Sequence, residues 1–330
     1  MRRPEHIIIS RTDSIGDVML TMPMAGLIKE RMPGTRITFI GRRYTLPVLA
    51  CSAHIDQAIA LEELHDVGDH AAVIRLSKLG ADAILHVFPR RDVAAWAKHA
   101  DIPVRIGTSH RWWHWLTCNE RVSFSRKRSD LHEAQLNIKL LAPLGLDETL
   151  SLQRLASLGG FTPPPADEIV GALLRPGFRH VILHPLSQGS AVEWGLERFN
   201  ALIAMLDPAR YRVIITGTAA EAERYRPLLA GTGPHVIDAG GKLRLDQLIA
   251  LIGACDALVA ASTGPLHIAA ACGIRAIGLY SPKRPIHPGR WGPIGADAHA
   301  LVAPDADPAG DALAHIGAIT AGMVMQALEQ

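Results

Sequence analysis

The sequence predicts an α/β protein that folds as two parallel-sheet lobes. The chain has 330 residues, which exceeds what one hydrophobic core usually supports and suits two domains. Short β-rich runs alternate with helix-length segments along the whole chain, as they do in βαβ units. A proline-rich stretch separates two such series, so the pattern restarts halfway along the chain.

The first lobe is predicted from five β-rich runs. Two amphipathic segments between them, Val18 to Arg31 and Ala71 to Leu79, are typical of the helices that connect parallel strands. The predicted strands are His6 to Ser10, Arg36 to Ile40, Gln57 to Leu61, Ala83 to Phe88 and Val104 to Gly107.

A connector from Gly159 to Pro165 marks the domain boundary, because consecutive prolines bar a helix and favour a stiff extended chain. We place the domains at residues 1–160 and 161–330, and a last helix near Asp311 to Leu328 that can pack on either lobe. The carboxyl edges of the two sheets are expected to face each other across a cleft for two substrates. The strands predicted for the second lobe are His180 to His184, Arg212 to Thr216, His235 to Asp238, Ala257 to Ala261 and Ala276 to Tyr280.

The composition is that of an ordinary globular protein, with 48% hydrophobic and 20% charged residues, and it excludes a disordered chain. No apolar run approaches the roughly 20 residues of a membrane-spanning helix, and none suits a signal peptide, so we expect a cytoplasmic protein. The cysteines form no CxxC pair and are expected to be reduced. Basic residues outnumber acidic ones between His86 and Arg128, which indicates an anionic partner or a solvated basic surface.

The stretch RTDSIGDVMLTMP, from Arg11 to Pro23, lies where the first strand gives way to a helix. That position is at the carboxyl edge of the sheet, where open α/β folds bind ligands. Asp17 stands at the start of the helix, and two roles are open to it: a favoured cap, or a general base that presents its carboxylate to a substrate. The chain carries neither a GxGxxG fingerprint here nor a GxxxxGK[ST] motif, so no dinucleotide or P-loop site is predicted.

The stretch ASTGPLHIAAA in the second lobe predicts a phosphate site. Ser262 and Thr263 can cap the helix that follows the strand, Gly264 lets a ligand approach the backbone, and Pro265 suits the first helical turn. The exposed N–H groups and positive dipole end of such a helix favour an anion, and His267 adds a donor one turn on. The alternative is an ordinary N-cap with a core histidine.

Two more loops follow strand ends in the same lobe. One is HPLSQGS, which contains Ser187 and Gln188, and the other is GTAAE, which ends at Glu221. Because the carboxyl ends of parallel strands meet at one edge, three such loops favour a nucleotide site.

Four stretches of the chain together resemble glycosyltransferase family nine, the lipopolysaccharide heptosyltransferases. They are IIISRTDSIGDVMLTMP, HPLSQGSAVEWGLERF, GTAAE and ASTGPLHIAAACG, and the resemblance runs nearly from end to end. It implies a GT-B fold of two Rossmann-like lobes, the first holding the acceptor and the second an ADP-sugar. It also implies inverting transfer of a heptose, or a related sugar, to a lipopolysaccharide core acceptor, with no cofactor and no obligatory metal.

The resemblance implies roles for individual residues. Asp17 matches the family's general base, which takes a proton from the acceptor hydroxyl. The donor contacts carry over to Ser187, Glu221, Thr263, Gly264 and His267, and we include Gln188, Ser262 and Pro265 from the same loops.

Two positions on the donor side depart from the family's pattern. The lysine that usually stands two residues before the tryptophan is Val192, and the aspartate that usually precedes Thr263 is Ser262. A charge-assisted hydrogen bond is worth about 1.5 to 3 kcal/mol, so these losses weaken catalysis or mark a different donor sugar. Lys283 and Arg284 follow the next strand end and are predicted to supply a cation to the diphosphate.

The acceptor side is predicted from three tryptophans among basic residues in SHRWWHWL, Ser109 to Leu116, followed by the run Arg126-Lys127-Arg128. Aromatic side chains with cations suit a membrane surface that bears anionic lipid. With the resemblance to the heptosyltransferases, this implies an acceptor of phosphorylated lipid A and Kdo, handled at the inner face of the inner membrane. The alternative is that the tryptophans are buried in a core or between the lobes. The predicted acceptor contacts are Arg11, Arg126 and Arg128.

Other interpretations carry less weight. His110 and His114 have the spacing of zinc ligands but no acid or thiol completes a set, and the DxD-like Asp305 to Asp307 lies in a loop rich in Pro and Ala, so no metal site is predicted. The formal net charge of only +2 argues against nucleic acid. A sugar-nucleotide-binding protein or an epimerase of the same fold, without transferase activity, is the alternative function.

Overall fold

Each half of the chain forms one six-stranded parallel sheet with helices connecting its strands. The computed structural model describes residues 3–126 and 128–330. The chain divides into two compact units, one ending at Thr162 and the other beginning at Pro163, within the Gly- and Pro-rich connector. The predicted α/β fold class, with two Rossmann-like parallel-sheet domains, is confirmed.

The sheet of the first unit has the strand order β3-β2-β1-β4-β5-β6, and the order reverses between β1 and β4. Every residue of β1 is buried, because a central parallel strand is covered on both faces, and this explains the uninterrupted isoleucines Ile7 to Ile9. The strands are β1 His6–Ser10, β2 Arg36–Gly41, β3 Gln57–Ala60, β4 Ala83–His86, β5 Val104–Thr108 and β6 Glu120–Val122.

The segment predicted as one helix from Val18 to Arg31 forms two helices. Pro23 lies in the first turn of the second helix, where its missing N–H costs nothing, but its ring would clash with a helix continuing from Met19. The helices of this unit are α1 Ile15–Met19, α2 Met22–Arg31, α3 Leu46–Leu49, α4 Leu61–Asp66, α5 Asp69–Lys78, α6 Arg91–His99, α7 Trp112–Thr117, α8 Glu133–Ile138 and α9 Leu152–Ser157, with 3₁₀ turns at Arg43–Thr45 and Lys139–Leu144.

The second unit repeats this topology. Its strand order is β12-β11-β10-β7-β8-β9, which in chain order is the same winding as in the first unit, with the reversal between β7 and β10. The strands are β7 Arg179–His184, β8 Tyr211–Ile215, β9 Val236–Asp238, β10 Ala257–Ala261, β11 Arg275–Leu279 and β12 Ala298–Leu301.

The C-terminal helices pack on the second unit, which settles where the last predicted helix belongs. Val324 and Leu328 are fully buried in this unit's core, and the Trp194 indole donates a hydrogen bond of 2.8 Å to the carbonyl of Ile319. The helices of the unit are α10 Glu168–Gly171, α11 Leu196–Met205, α12 Ala219–Tyr225, α13 Leu245–Ala254, α14 Gly264–Cys272, α15 Pro288–Trp291, α16 Ala312–Gly317 and α17 Ala321–Glu329, with a 3₁₀ turn at Arg226–Leu229.

The sequence does not predict two strands that the structure contains, β6 and β12. Both lie at a sheet edge and neither contains a buried residue, so they lack the apolar run by which the central strands are recognised. Within the described ranges, no helix is both long enough and apolar enough to cross a membrane.

Candidate functional site

The loop that carries Asp17 lies at the topological switch point of the first unit. β1 ends at Ser10 and α1 begins at Ile15, so residues 11–14 leave the carboxyl end of β1, which lies between β2 and β4. Ligands of open α/β sheets bind at such points, where neighbouring connections run to opposite faces and leave a crevice. Asp17 stands in the first turn of α1 and is only partly buried, so its carboxylate is available at this edge.

The side chain of Arg11 holds the carboxylate of Asp17 in place. Its side chain is buried, and one terminal nitrogen of its guanidinium group donates to Oδ1 of Asp17, while the Ser14 hydroxyl donates to Oδ2 at 2.6 Å. The same guanidinium donates through Nε to Oδ1 of Asp13 at 2.8 Å and through its other terminal nitrogen to Glu133 at 3.3 Å. Arg11 thus joins three carboxylates of its own unit.

Burial and charge act in opposite directions on this cluster. Burial lowers the pKa of Arg11, but the carboxylates of Asp13, Asp17 and Glu133 outweigh it and the net change is upward, so the arginine stays charged. Burial also raises the pKa of Asp13 to about 6; the charge of Asp17 adds to this effect and Arg11 opposes it.

The three arginines predicted to contact the acceptor differ in how far they are exposed. Arg11 is only 3% exposed and is bonded within its unit, which argues against a direct contact with an acceptor and favours a role in orienting Asp17. Arg126 shares Glu133 with it through a bond of 2.9 Å and is partly exposed. Arg128 is exposed, and Lys127 lies outside the described residues.

In the second unit, the N-terminus of α14 opens at the end of β10, as the sequence predicts. Thr263 is the N-cap residue, in extended conformation, but its hydroxyl makes no capping bond. This hydroxyl is buried and has no hydrogen-bond partner among the described residues. Pro265 lies in the first turn and His267 is buried one turn on. A buried polar group normally has a partner, so the geometry leaves Thr263 and the helix amides available to an anion.

The Ser187 loop follows β7, the neighbour of β10. Its shape depends on Glu193, whose Oε1 accepts the Ser187 N–H at 3.0 Å and its hydroxyl at 3.2 Å. Gln188 has a left-handed backbone, with φ 51°, and its side-chain amide donates to Thr218 at 3.2 Å. This bond links the loops after β7 and β8.

Glu221 caps the helix that follows β8. Its Oε2 accepts the backbone N–H of Thr218 at 2.7 Å and the Thr218 hydroxyl at 2.9 Å, which completes a capping box. The side chain is nearly buried, and its charge partly opposes the burial that lowers the pKa of His184. Glu221 therefore has a structural role in addition to the predicted contact with the donor.

The structure shows the surroundings of the two residues that depart from the family pattern, Val192 and Ser262. Val192 packs against the hydrophobic core of the second unit, so an apolar residue suits this position. Ser262 lies beside buried Tyr280, whose hydroxyl donates to the carbonyl of Trp291 at 2.6 Å, and it partly opposes the effect of burial, which raises the pKa of this tyrosine. Lys283 and Arg284 follow β11, which pairs with β10; the first is partly buried and the second is exposed.

The structure brings together the loops after β10, β7 and β8, which hold the predicted donor residues of the second unit other than Lys283 and Arg284, which follow β11. Three residues of these clusters, Asp13, Glu133 and Glu193, were not predicted from the sequence. A second acidic residue in the first loop was a visible signal for Asp13, whereas Glu133 meets Arg11 across 122 residues and has no local signature.

The structure also shows how exposed two other predicted motifs are, the tryptophan-rich stretch and the DxD-like stretch Asp305 to Asp307. Trp112 and Trp115 are 59% and 60% exposed, so they are not core residues, while Trp113 is partly buried. Asp305 and Asp307 are both exposed. Within residues 3–126 and 128–330, no group of three or more His, Cys, Asp or Glu side chains is arranged to hold a metal ion.

Comparisons with known proteins agree with this architecture. The chain is 25% identical to a candidate glycosyltransferase of Haemophilus influenzae, covering 92% of this chain and 90% of that protein. It is 24% identical to lipopolysaccharide heptosyltransferase 3 of Escherichia coli, with 80% of each chain covered. The solved ADP-heptose lipopolysaccharide heptosyltransferase II of Escherichia coli superposes with a TM-score of 0.76 at 20% identity, covering 98% of this chain and 97% of that one.

The family model of glycosyltransferase family 9 (heptosyltransferase) matches residues 82–309, which is more than half of the chain. The family predicted from the four sequence stretches is therefore confirmed. This protein belongs to glycosyltransferase family 9, the heptosyltransferases, and is a glycosyltransferase.

Proposed function

We propose that this protein transfers a heptose, or a closely related sugar, from an ADP-sugar to an acceptor in the lipopolysaccharide core, with inversion at the anomeric carbon. The observation that carries the proposal is the buried Thr263 hydroxyl, which has no partner among the described residues and lies at the N-cap of α14. A diphosphate would supply the missing partner and would also accept hydrogen bonds from the free helix amides.

The donor is proposed to bind at the carboxyl edge of the second unit. Thr263, Gly264, Pro265 and His267 surround the phosphates, with Ser262 beside them. Ser187, Gln188 and Glu221 are proposed to hold the nucleotide sugar, and Lys283 and Arg284 to replace the cation lost at Val192. Relatives named for ADP-heptose and lipopolysaccharide support this choice of donor and acceptor.

Asp17 is proposed to act as general base on the acceptor. Its carboxylate takes the hydroxyl proton while the acceptor oxygen bonds to the anomeric carbon and the bond from that carbon to the ADP phosphate breaks. ADP leaves with the bonding electrons, and the amides of α14 stabilise its charge. The chemistry requires no cofactor. Arg126 and Arg128 are the proposed acceptor contacts, with Arg11 holding the base.

The test is incubation with ADP-heptose and a series of truncated lipopolysaccharide cores, followed by mass spectrometry. We expect one core to gain the mass of one heptose, with ADP released only when that core is present. Binding of ADP-heptose without product or acceptor-dependent ADP release would instead indicate a binding protein or an epimerase. The loss of the family's lysine at Val192 is the observation that favours this second candidate.

We also propose that the protein works at the cytoplasmic face of the inner membrane and contacts it through the first unit. The contact surface, here called the aromatic-basic surface, consists of Trp112, Trp115, Leu116, Arg91 and Arg121. All three apolar side chains are exposed, and the guanidinium groups of Arg91 and Arg121 lie over Trp112 and Trp115, 5.2 and 4.5 Å from the ring centroids. Exposed indoles flanked by cations suit the headgroup region of an anionic bilayer.

Vesicle flotation tests this surface. We expect binding to phosphatidylglycerol-containing vesicles, little binding to pure phosphatidylcholine, and roughly fivefold weaker binding for each of Arg91→Ala and Arg121→Ala, at about 1 kcal/mol per arginine. Trp112→Ser with Trp115→Ser should abolish flotation. The matched control, Ile169→Ser with Leu313→Ser, removes exposed apolar side chains from the second unit and should change nothing. Equal binding to both vesicle types would contradict the proposal.

A further inference from the structure

Arg11 is shared between two carboxylates of one short loop, Asp13 and Asp17. Its Nε donates to Asp13 at 2.8 Å, and a terminal nitrogen of the same rigid fork donates to Asp17. The planar guanidinium cannot turn about its long axis without breaking one of these bonds. The bond to Asp13 therefore fixes the direction in which Arg11 approaches Asp17.

The bond from Arg11 to Asp13 depends on the charge of Asp13. A hydrogen bond from a guanidinium to an ionised carboxylate is roughly twice as strong as one between neutral groups, so Asp13 holds Arg11 firmly only while it is ionised. The charged and titratable groups that face Asp13 are Arg11 and Asp17, with the Tyr44 hydroxyl donating to its backbone carbonyl at 2.9 Å.

We propose that Asp13 is a positioning residue for the general base: it fixes Arg11 against Asp17, so that the Asp17 carboxylate keeps the orientation in which it accepts the acceptor's proton. This proposal rests on the proposed function, in which Asp17 is the base. Asp13 itself neither gains nor loses a proton during transfer, because the acceptor's proton moves to Asp17 alone.

The proposal has a pH signature. Burial raises the pKa of Asp13 to about 6, so the residue becomes neutral as the pH falls through this value. Neutral Asp13 then holds Arg11 less firmly, Asp17 loses its fixed orientation, and the rate falls. The acid limb of kcat should therefore lie near pH 6 and report the protonation of Asp13.

The experiment compares pH–rate profiles of Asp13→Asn, Asp13→Glu and the wild type. Asp13→Asn should lower the plateau of kcat by on the order of tenfold, because a misplaced base accepts the proton less efficiently, and should remove the acid limb near pH 6. The KM for the ADP-sugar should stay unchanged. Asp13→Glu restores the charge and should return the limb toward pH 6. Asp101→Asn removes an exposed carboxylate of the same unit and is the matched control.

A second readout does not depend on turnover. With carbon-13 in the aspartate carboxyl groups of the full chain, the resonance that disappears in Asp17→Asn is that of Asp17. In the wild type this resonance should change its chemical shift as Asp13 is protonated near pH 6, and in Asp13→Asn this change should be absent. A change near pH 6 that persists in Asp13→Asn, or an acid limb that stays in place, would overturn the role of Asp13. Loss of the change in a protein that transfers no sugar would support the coupling of the two carboxylates and refute the proposed function.

Discussion

The position of Asp17 in the fold also determines how its carboxylate is oriented for chemistry. Its position in the first turn of α1 puts its charge against the positive end of the helix dipole, while Arg11 and Ser14 each donate to one of its oxygens. Both effects hold the side chain in a single orientation. A carboxylate oxygen has two lone pairs, so each oxygen that already accepts a bond can still accept another.

At this scale we predict the effect of Asp17→Asn. The amide retains an oxygen that accepts from Arg11 but cannot take a proton, so the fold should be kept and turnover should fall by about 10² to 10⁴. Steady-state kinetics measures the fall, and circular dichroism checks the fold. Wild-type turnover in the variant would rule Asp17 out as the base.

Among the described helices of the second unit that begin with a threonine N-cap, α14 is the one whose threonine makes no capping bond. Thr218 before α12, Asp311 before α16 and Thr320 before α17 all accept a backbone N–H with the side chain, whereas Thr263 before α14 does not. A threonine is a good N-cap, and leaving its hydroxyl buried without a partner has a free-energy cost. The open N-terminus is therefore the element best prepared for an anionic ligand.

Thr263→Val should change stability and affinity in opposite directions. Removing a buried hydroxyl without a partner should leave the free protein as stable or more stable, while the affinity for ADP should fall by about 10- to 150-fold, or about 1.5 to 3 kcal/mol. Thermal unfolding and titration calorimetry measure the two effects.

Thr320→Val is the matched control for this helix position. Its hydroxyl accepts the N–H of Met323 at 3.2 Å, so the substitution should destabilise the protein by about 1 kcal/mol and leave the ADP affinity unchanged. Equal behaviour of the two variants would show that Thr263 is an ordinary cap.

Elements proved easier to predict from the sequence than the contacts between them. Buried strands such as β1 and β10 can be recognised in the sequence as apolar runs, and Gly264 and Pro265 mark the start of α14. The split between α1 and α2 follows from Pro23, although amphipathic periodicity alone suggested one helix. The Arg11 cluster could not be predicted from the sequence, because Glu133 lies in α8 and only the folded chain brings it to the first loop.

Across the molecule, buried histidines link folding to pH. His86 is completely buried, neither ring nitrogen has a hydrogen-bond partner in the described part of the chain, and His114 lies 5.6 Å away between ring centroids. Burial, with smaller contributions from the charges of His114 and Arg105, lowers the pKa of His86 to about 3. The unfolded chain restores this histidine to its ordinary pKa of about 6.5.

We therefore predict that acid destabilises the first unit. Between about pH 6.5 and pH 3 the unfolded chain binds a proton at His86 that the folded chain does not, so this residue lowers the free energy of unfolding by about 1.4 kcal/mol per pH unit as the pH falls. In His86→Leu the loss between pH 6.5 and pH 5 should be smaller by about 2 kcal/mol. Urea unfolding followed by tryptophan fluorescence measures it. His70→Asn, at an exposed histidine, should leave the slope unchanged.

The identical winding of the two sheets has a consequence for biosynthesis. Each sheet takes all six strands from one continuous stretch of chain. Once the proline connector has left the ribosome, the first half has every strand of its own sheet, and it can complete its fold while the second half is still being translated.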